Sequence, residues 1–305
     1  VPAKVALHPH GPQSFLHAMP AWVGGLGALG MKWVSFFPGN AARGQVDSSA
    51  LIVLNDPDTG VPVAIMEGMW ITYARTGACA ALAAKYCANP APRRIGLVGC
   101  GGLGEWSLRC LAAVFSSIEE VYVASRHPES RAAFCARMHG EGNWTLVPVD
   151  DVRQAVEGMD IVISSVPKLQ THPVHGAWLS AGTLMIPLDV TGSWDDAVYA
   201  SAQRIVCDHR GNLELAFQRY RPGLDIDQAR LVDMQDIAGP HHTHPHGEID
   251  LIMPIEGEAR FDGRPAGWLV CPPGSAHRPT VSNGRALVLY LLPEGRIDFT
   301  RQEAA

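Results

Sequence analysis

The chain has 305 residues, of which 47% are hydrophobic and 18% charged, so it is long enough for two or three domains with apolar cores. Its formal net charge is −6 and no basic run is present, which argues against nucleic acid or an anionic membrane surface as a partner. No apolar run approaches the ~18 residues that a membrane span requires. The seven cysteines include no CxxC pair, so we expect reduced thiols and a cytoplasmic protein.

The first 90 residues are predicted to form strands followed by one helix. Strands are expected at 32–37, 51–54 and 61–66. Apolar residues then recur at helical spacing over 67–87. Arg75 lies in this predicted helix among small and apolar residues, and a buried cation needs a partner. A substrate carboxylate and an internal ion pair are equally good candidates.

A strand, a glycine-rich turn and a helix follow one another in the middle of the chain. The apolar run at 95–98 leads into Gly99-x-Gly101-x-x-Gly104, and a helix is predicted over 105–115. In a dinucleotide-binding turn the first glycine allows the tight turn, the second lets the backbone approach a pyrophosphate, and the third lets the helix pack on the strand. A glycine-rich turn without a ligand is the alternative. The strand before it and the helix after it favour the dinucleotide.

Strands and helices alternate from residue 93 to about residue 216. The strands are predicted at 95–99, 120–124, 145–148, 160–165, 182–189 and 204–208, and the helices at 105–115, 129–138 and 151–156. Repeated βα units predict a parallel sheet that binds its ligand at the carboxyl ends of the strands.

The residues after the second strand of this sheet bear on the choice of cofactor. An acidic residue there would bind the ribose hydroxyls of NAD, whereas an arginine suits the 2′-phosphate of NADP. The chain has Ser125 and Arg126 and no acid at this point. We therefore expect NADP(H) to be favoured over NAD(H). The alternative is that Arg126 is a solvated loop cation.

Residues 32–40 (KWVSFFPGN), 58–60 (DTG), 71–78 (ITYARTGA) and 96–104 (GLVGCGGLG) resemble the ornithine cyclodeaminase/mu-crystallin family in order and spacing. The resemblance covers about residues 1–215. It implies a Rossmann-type domain preceded by a β-rich substrate-binding and dimerisation domain. Members are NAD(P)-dependent enzymes that act on amino acids and on cyclic or open imines, usually as homodimers.

The resemblance also implies roles for individual residues. Lys32 would face the substrate carboxylate or imine nitrogen, Arg75 would clamp the carboxylate, and Thr76 would lie near the nicotinamide. The expected cofactor-binding residues are Thr76, Gly99, Gly101, Gly102, Leu103, Gly104, Ser125, Arg126 and Ser165.

An aspartate after the fifth strand of the nucleotide domain handles the amine proton in this family. Asp189 is the nearest match and is the expected catalytic residue, although Asp195 or Asp196 could take the role. The family's N-terminal stretch and its C-terminal helical return are not recognisable in the chain.

A histidine-rich segment follows residue 238. His242-x-His244-x3-Glu248, and later Pro-x-Gly-x2-His277, look like the two motifs of cupins. Two histidines two positions apart on a strand point to one face, and the other two residues would join them around a divalent metal. His246, like its neighbour at 241, is expected to face outward or to lie behind the ligands. A surface histidine cluster is the alternative.

The segments at 249–255, 266–271 and 286–292 are predicted strands of a small cupin-like barrel. Residues 228–300 resemble 4-hydroxylaminobenzoate lyases, which convert a hydroxylaminoarene carboxylate to a catechol with loss of ammonia. Arg278 is a candidate for binding an aromatic carboxylate, and a salt bridge at the rim of the barrel is an equally good interpretation of this residue.

We therefore expect three domains: substrate binding and dimerisation at 1–90, NAD(P) binding at 91–220, and a cupin-like domain at 225–305. The first two would oxidise or reduce an amino or imino acid, and the third would bind a metal and act on a hydroxylamino-aromatic acid. In one competing hypothesis only the cupin lyase is catalytic and the first half is a degenerate scaffold. In another the first half binds a nicotinamide cofactor without turnover.

Overall fold

The computed structural model describes residues 5–11, 14–166, 172–189, 192–207, 210–224, 226, 230–233, 242–277, 279–293 and 298–299. The chain divides into two compact units, residues 1–202 with 215–225, and residues 203–214 with 226–305. The boundaries predicted at 90 and 220 stay a prediction. Among the described helices, none combines the length and apolarity needed to cross a membrane. All seven cysteines are free thiols.

The first unit begins with a five-stranded antiparallel sheet in the order β1-β2-β3-β4-β5. Its strands are β1 Val5–Leu7, β2 Phe15–Val23, β3 Ala28–Phe36, β4 Ser48–Asn55 and β5 Pro62–Glu67. The helix α1, Met69–Cys87, follows directly. Side chains alternate across a strand, so residues that are register partners on neighbouring strands lie on the same face of the sheet. Val34 and its partner Ala50 are buried on the face toward the start of α1, where Gly68 N donates to Ala50 O at 2.9 Å.

The second sheet of this unit is parallel and five-stranded, in the order β10-β9-β6-β7-β8. Its strands are β6 Arg94–Val98, β7 Glu120–Ala124, β8 Thr145–Val149, β9 Ile161–Ser164 and β10 Leu184–Pro187. The helices after α1 are α2 Gly102–Val114, α3 Pro128–Met138, α4 Asp196–Ser201 and α5 Arg210–Tyr220. The chain enters at the central strand β6, winds outward to β8 and returns to β9. The strand order therefore reverses beside β6, where doubly wound sheets bind ligands. Ile95, Leu97, Val121 and Ile163 are fully buried in the core.

Two sequence predictions for this region were wrong in detail. The helix expected over 151–156 is a single 3-10 turn at Val152–Ala155, capped by the Asp151 side chain, which accepts from Arg153 N. The strand expected at 204–208 does not join the nucleotide sheet. It is β11, Ile205–Cys207, and it pairs in parallel with β12, Leu231–Asp233, in the second unit.

The rest of the second unit is antiparallel and all β. Its described strands are β13 His242–His244, β14 Glu248–Phe261, β15 Gly267–Cys271, β16 Ser275–His277, β17 Val281–Leu291 and β18 Asp298–Phe299. They form two three-stranded sheets, in the orders β16-β13-β18 and β15-β14-β17. The inward face of β14 carries the buried residues Glu248, Asp250 and Ile252. The predicted Rossmann-type sheet and C-terminal all-β region are thus confirmed.

Candidate functional site

The glycine turn between β6 and α2 is open where a phosphate would approach and closed elsewhere. Gly99 has φ +104°, a left-handed conformation that disfavours other residues, and a Cβ there would lie 2.8 Å from Ser165 O. A Cβ on Gly104 would lie 2.8 Å from Gly99 O, so α2 packs directly on the turn. A Cβ on Gly101 would meet nothing within 4 Å. The turn therefore leaves free space at the N-terminus of α2, where unpaired N–H groups attract anions.

A second pair of glycines brings α1 against α2. A Cβ on Gly77 would lie 2.5 Å from Trp106 O, and one on Gly102 would lie 2.7 Å from the Tyr73 ring. The two helices are therefore close together: Gly77 lies directly against the backbone of α2, and Gly102 lies against the Tyr73 ring. Burial raises the pKa of Tyr73, with a smaller contribution from the negative charge of Glu67. This contact places the helix that carries Arg75 and Thr76 beside the glycine turn.

Ser125, Arg126 and Ser165 lie at the carboxyl ends of strands next to this turn. Gly99 N donates to Ala124 O at 2.9 Å, and Ser165 Oγ donates to Gly99 O at 3.2 Å. Arg126 is exposed, immediately beyond β7. The sequence analysis missed Arg131, a buried cation of α3 that donates to Ser125 O and pairs with Asp150.

Lys32 and Arg75 lie on different elements. Lys32 is on β3 opposite Ile52, and strand alternation puts this row on the same face as Val34 and Ala50, the face toward the start of α1. Arg75 is exposed, so the expectation that it is buried was wrong. Among the described residues its side chain has no ion pair, so the internal salt bridge considered from the sequence is not seen in this part of the chain. Thr76 Oγ1 donates to Thr72 O at 2.6 Å within the helix.

Asp189 follows β10 and is 7% exposed. One of its oxygens accepts hydrogen bonds from Ser193 Oγ and from Val166 N, while Oδ1 is buried without a partner among the described residues. Burial raises the pKa of Asp189 above its ordinary value. Its part in proton transfer stays a prediction.

The two alternatives to Asp189 both make contacts that stabilise the local structure. Asp195 caps α4 by accepting from Val198 N, and it also accepts from Gly176 N at 3.0 Å. Asp196 pairs with Arg221, a buried cation that also donates to Trp194 O at 2.6 Å.

The second unit brings together all four predicted metal ligands. His242 and His244 lie on β13, Glu248 begins β14, and His277 ends β16, where it is the register partner of His242. One donor atom from each of the four residues lies within 4.8 Å of the others. The Nε2 atoms of His242 and His277 are 3.2 Å apart, and Glu248 Oε2 is 2.7 Å from His244 Nδ1. His246 is exposed, as expected, and Arg278 is outside the described residues.

The interior of this cluster holds buried polar atoms whose near neighbours are other members of the cluster. Both side-chain nitrogens of His244 and both carboxylate oxygens of Glu248 and Asp250 are buried and, apart from their contacts with one another and with His277, have no hydrogen-bond partner in the described structure. Such atoms are costly to bury unless an ion or another ligand pairs with them. Three imidazoles and a carboxylate form a donor set that suits a divalent transition metal. The residues present therefore fit a metal.

Burial in the cluster shifts the pKa of His244 and the pKa of the carboxylates in opposite directions. Burial lowers the pKa of His244 to about 4, helped by the neighbouring His242 and His277. Burial, followed by the Asp250 carboxylate, raises the pKa of Glu248. Burial also raises the pKa of Tyr290 to about 12, with the Asp250 charge next in importance.

Sequence reasoning missed Asp250 and Tyr290, which are register partners on β14 and β17. The signal for Asp250 was present. It lies two residues after Glu248, at the start of the strand predicted over 249–255, and in the structure both residues lie on the same face of β14.

Comparison with known proteins gives a family match for each of the two regions that carry the candidate sites. Residues 1–197 match the ornithine cyclodeaminase/mu-crystallin family, and residues 221–299 match 4-hydroxylaminobenzoate lyase. The chain belongs to the ornithine cyclodeaminase/mu-crystallin family. The match to that family covers the glycine turn, Lys32, Arg75, Thr76 and Asp189, and the second match covers the four clustered ligands.

Three similar proteins illustrate the relationship. A solved Δ1-pyrroline-2-carboxylate reductase of Thermococcus litoralis, in complex with NADH and L-proline, has a TM-score of 0.67 at 27% identity, covering 76% of this chain and 73% of that one. An archaeal alanine dehydrogenase dimer with bound NAD has a TM-score of 0.59 at 27% identity, covering 72% and 65%. Nodulation efficiency protein NfeD of Rhizobium meliloti is 27% identical to this chain, and the match covers 68% of this chain and 63% of the length of NfeD.

Proposed function

We propose that the first unit is an NAD(P)-dependent oxidoreductase acting at the Cα–N bond of an amino acid or its imine. The observation that carries the proposal is the glycine turn, complete at all three positions and open at Gly101, with the Arg75 helix packed directly against α2. NAD(P)H bound at the turn would supply the hydride. The solved relatives hold NADH with L-proline in one case and NAD in the other, which supports the same class of chemistry.

The chain's own residues would bind and orient the substrate. Arg75 is exposed and has no ion pair with the described residues, so its guanidinium is available for a two-pronged contact with a carboxylate. Lys32 carries a second cation on the sheet face toward the same helix, where it would donate a proton or a hydrogen bond to the imine nitrogen. Asp189 would hold the amine proton in this proposal. Its raised pKa suits a carboxyl group that is protonated for part of the cycle.

For the cofactor we propose a preference for NADP(H). The support is local: Ser125 and the exposed Arg126 follow β7 where an acidic residue would repel a 2′-phosphate.

We also propose that the first unit forms a homodimer through the outer face of the antiparallel sheet. Trp33, Leu51, Val63 and Ile65 are 41–70% exposed on that face, which leaves an apolar surface of the kind that interfaces cover. The related alanine dehydrogenase is a dimer.

Oxidation of NADPH in the presence of 2-imino acids, or of 2-oxo acids with ammonia, tests the catalytic proposal. We expect turnover that Arg75→Ala lowers mainly through KM for the carboxylate substrate, because a binding contact is lost. Lys85→Ala, an exposed cation in the last turn of the same helix, is the matched control. Absence of turnover with every substrate, together with normal NADPH binding, would favour a binding protein over an enzyme.

A second proposal concerns the all-β unit, because the buried ligand cluster specifically favours it. His242, His244, Glu248 and His277 would hold a divalent metal, and the unit would act as a lyase on a hydroxylamino-aromatic acid. The bound metal would supply Lewis acidity. Metal analysis of the purified full chain should give about one ion, lost in His242→Ala and kept in the exposed control His246→Ala. Metal-loaded protein should release ammonia from 4-hydroxylaminobenzoate, and stoichiometric metal without ammonia release would leave only the binding part of the proposal standing.

A further inference from the structure

The carboxylate of Asp262 joins His277 to the backbone of Thr280, the residue before β17. Its Oδ2 makes a short hydrogen bond with His277 Nδ1, and its Oδ1 accepts from Thr280 N at 2.8 Å. The Asp262 backbone N donates in return to Thr280 O at 2.8 Å. Both oxygens of the carboxylate are therefore held by partners on the segment that carries His277.

The loop fixes Asp262 in an uncommon backbone conformation. Asp262 has φ 48° and lies in a tight turn where Phe261 and Arg264 exchange backbone hydrogen bonds of 2.9 and 2.8 Å. A non-glycine residue in the left-handed region costs roughly 1 kcal/mol, and Asp and Asn tolerate it better than most. Gly263 has φ 74°, so Asp262 and Gly263 form the Asp-Gly pair that two-residue hairpin turns favour, and this turn places the Asp262 carboxylate beside His277.

The hydrogen bond determines which nitrogen of His277 carries the proton. A carboxylate accepts hydrogen bonds and donates none, so Nδ1 must carry the hydrogen. Nε2 of the neutral ring is then left with its lone pair. That atom lies 3.2 Å from Nε2 of His242 and 3.7 Å from Oε1 of Glu248, in the middle of the ligand cluster. The lone pair therefore faces the place where the four donor atoms converge.

We propose that Asp262 is a positioning residue of the metal site: it holds His277 as the Nδ1–H tautomer and so presents Nε2 to the cation. The inference rests on the proposed metal-binding function. Its physical basis is that a ligating histidine needs an acceptor behind its other nitrogen to fix its tautomer and its ring orientation. Asp262 contributes no ligand of its own and acts only through His277.

Asp262→Asn is the sharpest perturbation, because the amide keeps the tolerance for φ 48° but has only one acceptor oxygen. If that oxygen serves Thr280 N, the amide NH2 faces His277 Nδ1 and favours the Nε2–H tautomer, in which the nitrogen facing the cluster has no lone pair for a metal. Asp262→Gly relieves the backbone and removes the bond without imposing either tautomer. We therefore expect metal affinity in the order wild type, then Gly, then Asn, with a loss of ten- to a hundredfold in Asn. A purely structural loop role predicts the reverse order of the two variants, since Asn retains the contact with Thr280.

Two readouts on the full chain separate this inference from the proposed function. Competition of Zn²⁺ or Co²⁺ with a chromophoric chelator measures affinity, and long-range ¹⁵N correlation spectra of metal-free protein report the His277 tautomer directly. Nδ1–H in the wild type and Nε2–H in Asp262→Asn is the expected result. If the wild type binds no metal but shows this tautomer change, the metal function fails while the positioning of His277 by Asp262 stands. If the wild type binds metal and both variants bind it equally, with the tautomer unchanged, the inference is overturned.

Discussion

Replacing Gly101 by alanine should weaken cofactor binding without cost to the fold. Gly101 has φ −90° and ψ −171°, which alanine adopts without strain, and a Cβ there would meet no atom within 4 Å. At such a position the change from glycine to alanine stabilises a protein by about 0.4–1 kcal/mol, because the unfolded chain loses freedom. The new methyl group would instead occupy the space through which a pyrophosphate reaches the N-terminus of α2.

The expected loss of affinity follows from the contacts that the methyl group prevents. A hydrogen bond from a backbone N–H to a charged oxygen is worth about 1.5–3 kcal/mol. Every 1.4 kcal/mol corresponds to a factor of ten in the dissociation constant. Losing one such bond therefore weakens cofactor binding by about ten- to a hundredfold. The change is expected in Kd for NADH and NADPH alike, since both carry the pyrophosphate.

Calorimetric titration with each cofactor and a thermal unfolding curve of the same sample check this prediction. Gly104→Ala is the matched contrast, because its Cβ would lie 2.8 Å from Gly99 O and overpacking of that kind costs about 1–3 kcal/mol. Gly104→Ala should unfold at lower temperature, whereas Gly101→Ala should not. Wild-type affinity in a stable Gly101→Ala protein would refute the placement of the pyrophosphate at this turn.

The remaining predictions concern the cofactor, a buried acid and the dimer. Arg126→Ala should raise Kd for NADPH about tenfold and leave that for NADH unchanged, because only the 2′-phosphate contact is lost; equal changes would contradict the NADP(H) preference. Burial raises the folded-state pKa of Asp189, so the free energy of unfolding should fall as pH rises from the ordinary aspartate range through that higher value. Asp189→Asn should reduce the dependence of the free energy of unfolding on pH, measured by urea titrations at pH 4 to 8. An unchanged dependence would mean that other groups cause it. Ile65→Asp, on the apolar sheet face, should convert a dimer to a monomer in sedimentation, whereas Val46→Asp, at an exposed loop position, should not.

The parallel sheet was predictable because its signals are local. Four- and five-residue apolar runs that are rich in β-branched residues and separated by helical segments favour buried strands, and the glycine spacing indicates which strand comes first. The partner of a strand is not a local property. Residues 204–208 have the composition of one more strand of the nucleotide sheet, yet β11 pairs with β12 in the second unit. Hydrophobic pattern establishes that a strand exists and says little about where it docks.

The clustering of the four candidate ligands was predictable for the same reason, and the contacts of the residues behind them were not. His242 and His244 share a face because they are two apart, and Asp250 could have been added by the same rule from Glu248. Asp262 could not, since its contact with His277 depends on a turn that only the folded sheet defines. The prediction for Arg75 was wrong, because the sequence suggested a buried residue and the structure shows an exposed one. Its apolar neighbours in sequence suggested burial, but they share its helix without sharing its face.

The two candidate sites differ in the free energy that the fold loses when no ligand is bound. The nucleotide turn is a space kept free by glycine at Gly101, exposed to water, so it loses little without its ligand. The C-terminal cluster instead buries Glu248, Asp250 and His244, which among the described residues have polar contacts only within the cluster. Each such group costs free energy until something pairs with it. The all-β unit should therefore depend on its ligand for stability, because binding a cation would offset a cost that the fold has already incurred.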